Sequence, residues 1–239
     1  MFDPRKLMAK EYAVLHGDGS GFDFQKTLTR EPIAMNWADP YRPSDTVPPH
    51  VKAAVIESLN SMAAHYTFPT GDFALCDAIA ERVEKKNGVK INPRTELTIS
   101  NGSDSAFAFV MRPFLVSGED NEVMMPVPSY AHNFAVPPMI GGRSVMVPTR
   151  QEDGYDLDID EFEKRVTPKT KMVVLTNPNN PTGTVYTRST MEKLADFCIR
   201  HDLLCVVDQC FEDSVFDGHE YVSMMALPGM WERTITIGS

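Results

Sequence analysis

Residues 172–183 read MVVLTNPNNPTG, an apolar run followed at once by a turn rich in asparagine and proline. The run at residues 172–176 is short and apolar except for its last residue, Thr176, which is typical of a strand buried on both faces of a sheet. Two prolines and a glycine then shape a turn, and its asparagines supply hydrogen-bond donors. The simpler alternative is an ordinary Asn/Pro turn. The length and order of residues 176–183 favour a binding turn at the carboxyl end of the strand.

Short apolar runs alternate with amphipathic segments on both sides of this turn. The predicted strands are residues 97–100, 122–126, 143–147, 172–176, 203–208 and 234–237. The predicted helices between them are residues 103–116, 130–140, 158–166 and 188–201. Strands joined through helices pair in parallel. The pattern therefore predicts an α/β fold, a mostly parallel mixed sheet with helices on both faces.

Upstream, residues 36–50 contain four prolines, which predict an extended loop. A helix begins near Pro48, and either Ser44 or Thr46 is the expected cap. Asp72 is the expected cap of a second helix.

Composition narrows the class of protein. The chain has 239 residues, 42% hydrophobic and 23% charged, which is ordinary for a globular protein. Its formal net charge of −10 argues against a nucleic-acid-binding surface. No apolar run approaches the ~18 residues of a membrane-spanning helix, and the start MFDPRKLMAKEY lacks the apolar core of a secretory signal. We therefore expect no membrane partner.

The cysteines and histidines are scattered along the chain. The four cysteines form no C-x-x-C pair, and the six histidines form no cluster with them. This distribution predicts reduced thiols in the cytoplasm and no metal site.

Ligands of parallel sheets bind beyond the carboxyl ends of the strands. Polar segments occur there at residues 101–104, 126–130, 176–183 and 208–211. A helix that begins at Ser103 could bind a phosphate through its free N–H groups, or the segment could be a plain capped turn. Asp208 ends an apolar strand, so its carboxylate needs a hydrogen bond or a cation such as a protonated pyridine. A helix-capping aspartate is the alternative for Asp208.

From about residue 33 to residue 239, the chain resembles the class I/II aminotransferases, which are fold-type I pyridoxal-phosphate enzymes. Five motifs carry the resemblance: Tyr66-x-x-x-x-Gly71, Asn101-Gly102-Ser103-Asp104, Pro128-Ser129-Tyr130, Asn180-Pro181-Thr182-Gly183 and Asp208. The implied fold is the large domain of these enzymes with part of a second, smaller domain. The implied division is residues 1–60 as an N-terminal arm with part of the small domain, and residues 61–239 as the large domain.

The resemblance implies a role for each matching position in holding the cofactor's phosphate. Gly102, Ser103 and Asp104 would bind that phosphate. Tyr66 would reach the phosphate of the other subunit, which implies a homodimer with a shared active site.

The cofactor's ring is assigned in the same way. Tyr130 would stack on the pyridine ring, and Asn180 would donate to its O3′ oxygen. Asp208 would keep the ring nitrogen protonated, which strengthens the ring as an electron sink. Phe211 stands where many relatives have a tyrosine that also donates to O3′. Trp37 and Ala38 are expected beside the substrate, Ala38 where relatives usually have glycine.

The lysine that binds the cofactor covalently in the family is not found at its usual place. We expect it beyond Ser239, in a longer chain of which these residues are the first part. No other catalytic residue is assigned.

The activity that the resemblance implies is transfer of an amino group from an amino acid to a 2-oxo acid. The alternatives are another pyridoxal-phosphate reaction, such as β-elimination or decarboxylation, and a non-catalytic module that only binds the cofactor.

Overall fold

A computed structural model describes residues 47–61 and 65–239. They fall into two compact units, divided between Thr67 and Phe68. The described part of the first unit is residues 47–61 and 65–67, which include helix α1 (Pro49–Ser61), none of whose residues is buried. The expected caps Ser44 and Thr46 lie outside the described residues. Within the described ranges, every helix is too short or too polar to cross a bilayer.

The second unit alternates strands and helices, as the sequence predicts. Its helices are α2 (Phe73–Asn87), α3 (Ser103–Met111), α4 (Ala131–Met139), α5 (Ile159–Glu163) and α6 (Arg188–Arg200). Its strands are β1 (Glu122–Val127), β2 (Arg143–Pro148), β3 (Thr170–Thr176), β4 (Leu204–Asp208) and β5 (Thr234–Ile237). Short 3-10 turns occur at Arg112–Phe114, Gln151–Asp153, Met224–Ala226 and Trp231–Arg233.

The five strands form one sheet in the order β2-β1-β3-β4-β5, and each of the four pairings is parallel. This confirms the predicted α/β class. Thr176 of β3 is in register with Asp208 of β4, and Asp208 is in register with Ile237 of β5. The carboxyl ends of these three strands therefore meet at one edge.

The core explains why the β3 run is apolar throughout. Met172 and Val174 pack into a cluster with residues of α3 and α4 on one face. Val173 and Leu175 pack into a second cluster with residues of α5 and α6 on the other face. Alternate side chains of a strand point to opposite faces, so a strand between two helical layers needs an apolar residue at every position.

The predicted strand at residues 97–100 is wrong. Among the described residues, this segment joins no ladder, and the Ile99 N–H donates instead to the Thr70 carbonyl at 2.9 Å. Its apolar character comes from packing against the loop before α2. A Cβ added to Gly71, whose φ is +118°, would lie 2.4 Å from Ile99 Cγ1.

Helix ends follow local chemistry. Asp72 caps α2, as predicted, and accepts a hydrogen bond from the Leu75 N–H at 3.0 Å. The helix predicted over residues 103–116 stops at Met111, because Pro113 has no N–H to continue the ladder. The helix predicted over residues 158–166 is shorter, Ile159–Glu163.

An ion network fastens α2 to the turn after β4. Arg82 Nη2 donates to Glu212 Oε1 at 2.7 Å and to Asp213 Oδ2 at 2.8 Å. Asn87 Nδ2 donates to Glu212 Oε2 at 3.3 Å, and Lys86 pairs with Asp213. The Glu212 side chain is only 9% exposed, so this carboxylate depends on partners from α2.

We expect Arg82→Met to lower the free energy of unfolding by ~1–3 kcal/mol, because the nearly buried Glu212 loses its closest charged donor and keeps only Lys86 Nζ at 4.0 Å. Arg200→Met is a matched control: Arg200 is 47% exposed, like Arg82 at 46%, and also pairs with two carboxylates. The glutamate partner of Arg200, Glu163, is more exposed than Glu212, so Arg200→Met should lower the free energy of unfolding by only ~0–1 kcal/mol. Urea unfolding measures both variants, and equal losses would contradict the account.

Candidate functional site

Four of the predicted site residues meet at the carboxyl edge of the sheet. The Tyr130 hydroxyl donates to Asp104 Oδ1 at 3.2 Å, and burial, together with the negative charges of Asp104 and Asp208, raises the pKa of this hydroxyl. Ser103, at the start of α3, lies beside the Cys210 thiol, which in turn lies beside Asp208. The carboxyl ends of β1 and β4 and the first turn of α3 therefore form one site.

A buried chain of hydrogen bonds holds Asp208. Asn133, on α4, is fully buried, and its Nδ2 donates to Ser129 Oγ at 2.7 Å and to Thr176 Oγ1 at 3.0 Å. The Thr176 hydroxyl donates to Asp208 Oδ2 at 3.4 Å. The other oxygen, Oδ1, accepts from the Cys210 N–H at 3.0 Å. Each carboxylate oxygen therefore has a fixed donor.

Asp208 is only 4% exposed, and a carboxylate this buried would be expected to have a positively charged partner. Both of its donors are nevertheless neutral. In the described parts of the chain, no lysine, arginine or histidine pairs with this carboxylate. A buried carboxylate is stabilised most by a positive charge at hydrogen-bonding distance. The arrangement is suited to a cationic group of a ligand. The alternative role of Asp208 as a helix cap is wrong, because no helix begins in the turn that follows β4.

The start of α3 presents free backbone donors. Gly102 is its N-cap residue, with φ of 82°, and no side chain caps the helix, so the alternative of a plain capped turn is not what forms here. The first N–H that bonds back within the helix is that of Ala106, to the Gly102 carbonyl at 3.3 Å. The preceding N–H groups therefore have no intrahelical acceptor. A Cβ at Gly102 would meet nothing within 4 Å, so a ligand can approach this backbone.

Asp104 does not cap α3. Its Oδ1 accepts from the Tyr130 hydroxyl at 3.2 Å, and its Oδ2 lies 3.3 Å from His132 Nε2. Burial, and then the neighbouring Asp104, raise the pKa of Tyr130, so its hydroxyl stays protonated and donates.

The Asn/Pro turn after β3 divides into structural and free residues. Asn177 is fully buried, and its Oδ1 accepts from the Tyr186 N–H at 3.2 Å. Asn179 Nδ2 donates to Thr182 Oγ1 at 2.7 Å and to the Pro128 carbonyl at 3.2 Å, which joins this turn to the one after β1. Asn180, the predicted site residue, is half-buried and makes no such structural bond among the described residues. The turn is thus braced by two asparagines and leaves the third available.

The remaining predicted residues are less connected to this site. Phe211 is half-buried in the turn after β4. Tyr66 belongs to the first unit and is fully exposed. Trp37 and Ala38 lie outside the described residues.

Sequence reasoning missed Asn133, His132 and Cys210. Asn133 carries the one available signal, a polar side chain in an apolar helix three residues after Tyr130. Cys210 is the half-exposed member of the four free cysteines, the other three being buried. Burial, and then the Asp208 carboxylate, raise the pKa of the Cys210 thiol to about 11, although the Ser239 and Ser103 hydroxyls oppose the shift.

This shift predicts how Cys210 reacts with iodoacetamide. Only the thiolate reacts, so the alkylation rate should keep rising through pH 9 and 10, ~tenfold per unit. The same cysteine in urea-unfolded protein should level off near pH ~9, because its pKa returns to ~8.5. Mass spectrometry of the Cys210 peptide measures both rates. A plateau below pH 9 in the folded protein would show that Asp208 and burial do not control this thiol.

Known proteins share both sequence and structure with this chain. It is 37% identical to aromatic-amino-acid aminotransferase 2 of Thermococcus litoralis over 195 residues, which are 82% of this chain and 50% of that protein. It is 36% identical to the aspartate aminotransferase of Pyrococcus abyssi over 195 residues, with the same coverage of 82% and 50%. The crystal structure of the aromatic aminotransferase from Pyrococcus horikoshii OT3 matches with a TM-score of 0.78 and 37% identity, covering 81% of this chain and 51% of that one.

The chain spans about half the length of the curated relatives it matches. The family model described as aminotransferase class I and II matches residues 33–239. The motifs named from the sequence fall within that range, and four of the five lie in the unit that contains the sheet. The chain belongs to the class I and II aminotransferase family.

Proposed function

We propose that this protein is a pyridoxal-phosphate-dependent aminotransferase, which moves an amino group from an amino acid to a 2-oxo acid. Two observations support this proposal: its family is pyridoxal-phosphate-dependent, and its relatives are named as aminotransferases. The observation that carries the proposal is Asp208, a buried carboxylate with neutral donors on both oxygens and an unmet need for a cation.

The residues present fit the cofactor at its ring nitrogen. Protonated pyridine is a flat cation that donates one N–H, and Asp208 offers one fixed anionic acceptor. Thr176 and Cys210 hold that carboxylate in place, so a ligand would not need to reorient it. The chemistry that pyridoxal phosphate supplies when bound is electron withdrawal from the α-carbon of an amino acid. The role of Asp208 in that chemistry is to hold a proton on the ring nitrogen.

The start of α3 fits a phosphate. Its free N–H groups and the positive end of the helix dipole favour an anion, and Gly102 leaves the backbone open. We assign Ser103 and Asp104 to the same phosphate site. The Asp104 carboxylate would repel a phosphate if it pointed there, but Tyr130 and His132 engage both of its oxygens.

The ring would lie between these two anchors. We assign Tyr130 to stacking on it, and Asn180 to donating a hydrogen bond to the O3′ oxygen. Phe211 has no hydroxyl, so it contributes packing only and leaves Asn180 as the donor. Trp37 and Ala38 are proposed beside the substrate.

The assembly belongs to the same proposal. We propose a homodimer in which Tyr66 of each subunit reaches the phosphate of the other, and the exposed position of Tyr66 agrees with that role. Four free cysteines are consistent with the reducing cytoplasm. The division into a partial small domain at residues 1–60 and a large domain at residues 61–239 is also proposed.

We expect Asp208→Asn to weaken pyridoxal phosphate binding by ~10–100-fold, because a charge-assisted hydrogen bond is replaced by a neutral one. Asp196→Asn, on the outer face of α6 and 66% exposed, should change nothing. Absorbance titration of the purified protein with pyridoxal phosphate gives the dissociation constants. Equal constants for the wild type and Asp208→Asn would contradict the assigned role of Asp208.

The activity is tested on a polypeptide that includes the cofactor-binding lysine implied by the family resemblance, by supplying pyridoxal phosphate, single amino acids and 2-oxoglutarate. Paired formation of glutamate and a new 2-oxo acid is the expected result. Ammonia or carbon dioxide without glutamate would indicate the elimination or decarboxylation alternatives instead. Tight cofactor binding with no product would indicate the non-catalytic module.

A further inference from the structure

His132 is the second residue of α4, beside the proposed cofactor site, and it has no role among those assigned above. We propose that His132 is a positioning residue that fixes the Tyr130 ring and occupies the Asp104 carboxylate, so that one face of Tyr130 and the start of α3 are free for the ligand. The inference rests on the proposed function, because it concerns the same cofactor site.

His132 and Tyr130 form a stacked pair. Their ring centroids are 5.0 Å apart and their planes differ by 21°. One face of Tyr130 is therefore covered, and no second aromatic ring within the described ranges stacks on it. Tyr130 is only partly buried, so its other face can receive a planar ligand.

Asp104 closes the group into a triangle. Its Oδ1 accepts from the Tyr130 hydroxyl at 3.2 Å, and its Oδ2 lies 3.3 Å from His132 Nε2. Tyr130 is thus held twice, at its ring by His132 and at its hydroxyl by Asp104. Because Asp104 belongs to α3, the triangle also joins the start of α3 to the start of α4.

The two nitrogens of His132 differ in their surroundings. Nε2 faces Asp104, whereas Nδ1 is buried and makes no hydrogen bond with any described residue. The neutral ring then carries its proton on Nε2, where it can donate to the carboxylate. A proton on Nδ1 would be a buried donor without an acceptor, which is unfavourable. This asymmetry suits a fixed support more than a group that exchanges protons during a reaction.

The position of Asp104 gives this support a consequence for ligand binding. A carboxylate in the first turn of a helix competes with a phosphate for the same positive end. Tyr130 and His132 contact both oxygens of Asp104, so its carboxylate faces the start of α4 and not the free N–H groups of α3. His132 is therefore expected to help two parts of the ligand in different ways, the ring through Tyr130 and the phosphate through Asp104.

Two substitutions separate these effects. His132→Phe keeps an aromatic ring against Tyr130 but cannot donate to Asp104. His132→Gln keeps an N–H donor but removes the ring. The probes are pyridoxal 5′-phosphate and pyridoxal, which lacks the phosphate, each titrated into the purified full chain by absorbance. Circular dichroism of the bound chromophore reports how its ring is oriented.

We expect His132→Gln to weaken binding of both probes by ~2–10-fold and to alter the circular dichroism of the bound chromophore, since Tyr130 loses its stacked support. His132→Phe should weaken pyridoxal 5′-phosphate by a similar factor and leave pyridoxal unchanged. Adding Asp104→Asn to His132→Phe should restore phosphate-dependent affinity. The Asp104 carboxylate, which has lost its partner His132, is then replaced by a neutral amide that does not repel the phosphate.

His201→Gln is the matched control. His201 also lies against an aromatic ring, Phe197 at 4.7 Å, and pairs with a carboxylate, Glu163 at 2.9 Å, but it is the residue that follows α6, away from the proposed site. It should lower thermal stability without changing either affinity. Thermal unfolding without ligand, run on all variants, shows which changes in binding come from loss of folding.

The two proposals fail in different ways. If the wild type binds neither probe, the proposed function fails, and this inference fails with it. If the wild type binds and both His132 variants match it in affinity and circular dichroism, only the inference about His132 is overturned. The inference is also overturned if the His132 variants lose affinity only in proportion to their loss of thermal stability, and His201→Gln shows the same proportion.

Discussion

A buried carboxylate must be held by hydrogen bonds, and in this protein that constraint acts on Asp208 at the end of β4. Its partners come from two neighbouring places in the sheet: Thr176 at the end of β3, and the Cys210 backbone in its own turn. Asn133 in turn fixes Thr176 from α4. The proposed site depends on these hydrogen bonds, because a buried carboxylate with two neutral donors, and no cationic partner among the described residues, is suited to a positive group of a ligand.

The rest of the fold serves to bring such groups to one edge. Parallel strands place the ends of β1, β3 and β4 side by side, and apolar side chains on both faces fix their register. The network from Arg82 to Glu212 then holds the turn after β4 against α2. The start of α3 supplies free N–H groups at the same edge. A carboxylate suited to a cation and a helix start suited to an anion thus lie at the same edge of one sheet, an arrangement that fits the proposed ligand with a pyridinium nitrogen and a phosphate.

Local patterns predicted most of this frame and some of the site. Apolar runs predicted five strands correctly, and Asp72 marks the start of α2 because a cap is recognised from adjacent residues. The strand predicted at residues 97–100 is wrong, because an apolar run does not show whether a neighbouring strand pairs with it. Partners far apart in sequence were beyond reach: Asn133 and Thr176 are separated by 43 positions, and Arg82 and Glu212 by 130. The family motifs named Asp208 and Tyr130, but the bonds that fix them emerge only from packing.

The central claim is that Asp208 binds a protonated pyridine nitrogen. The most direct test is ¹⁵N NMR of the protein loaded with pyridoxal phosphate that carries ¹⁵N in its ring. The account predicts the chemical shift of a protonated, hydrogen-bonded ring nitrogen that persists above the pH at which free pyridoxal phosphate loses this proton. A shift typical of neutral pyridine throughout the neutral pH range would contradict it.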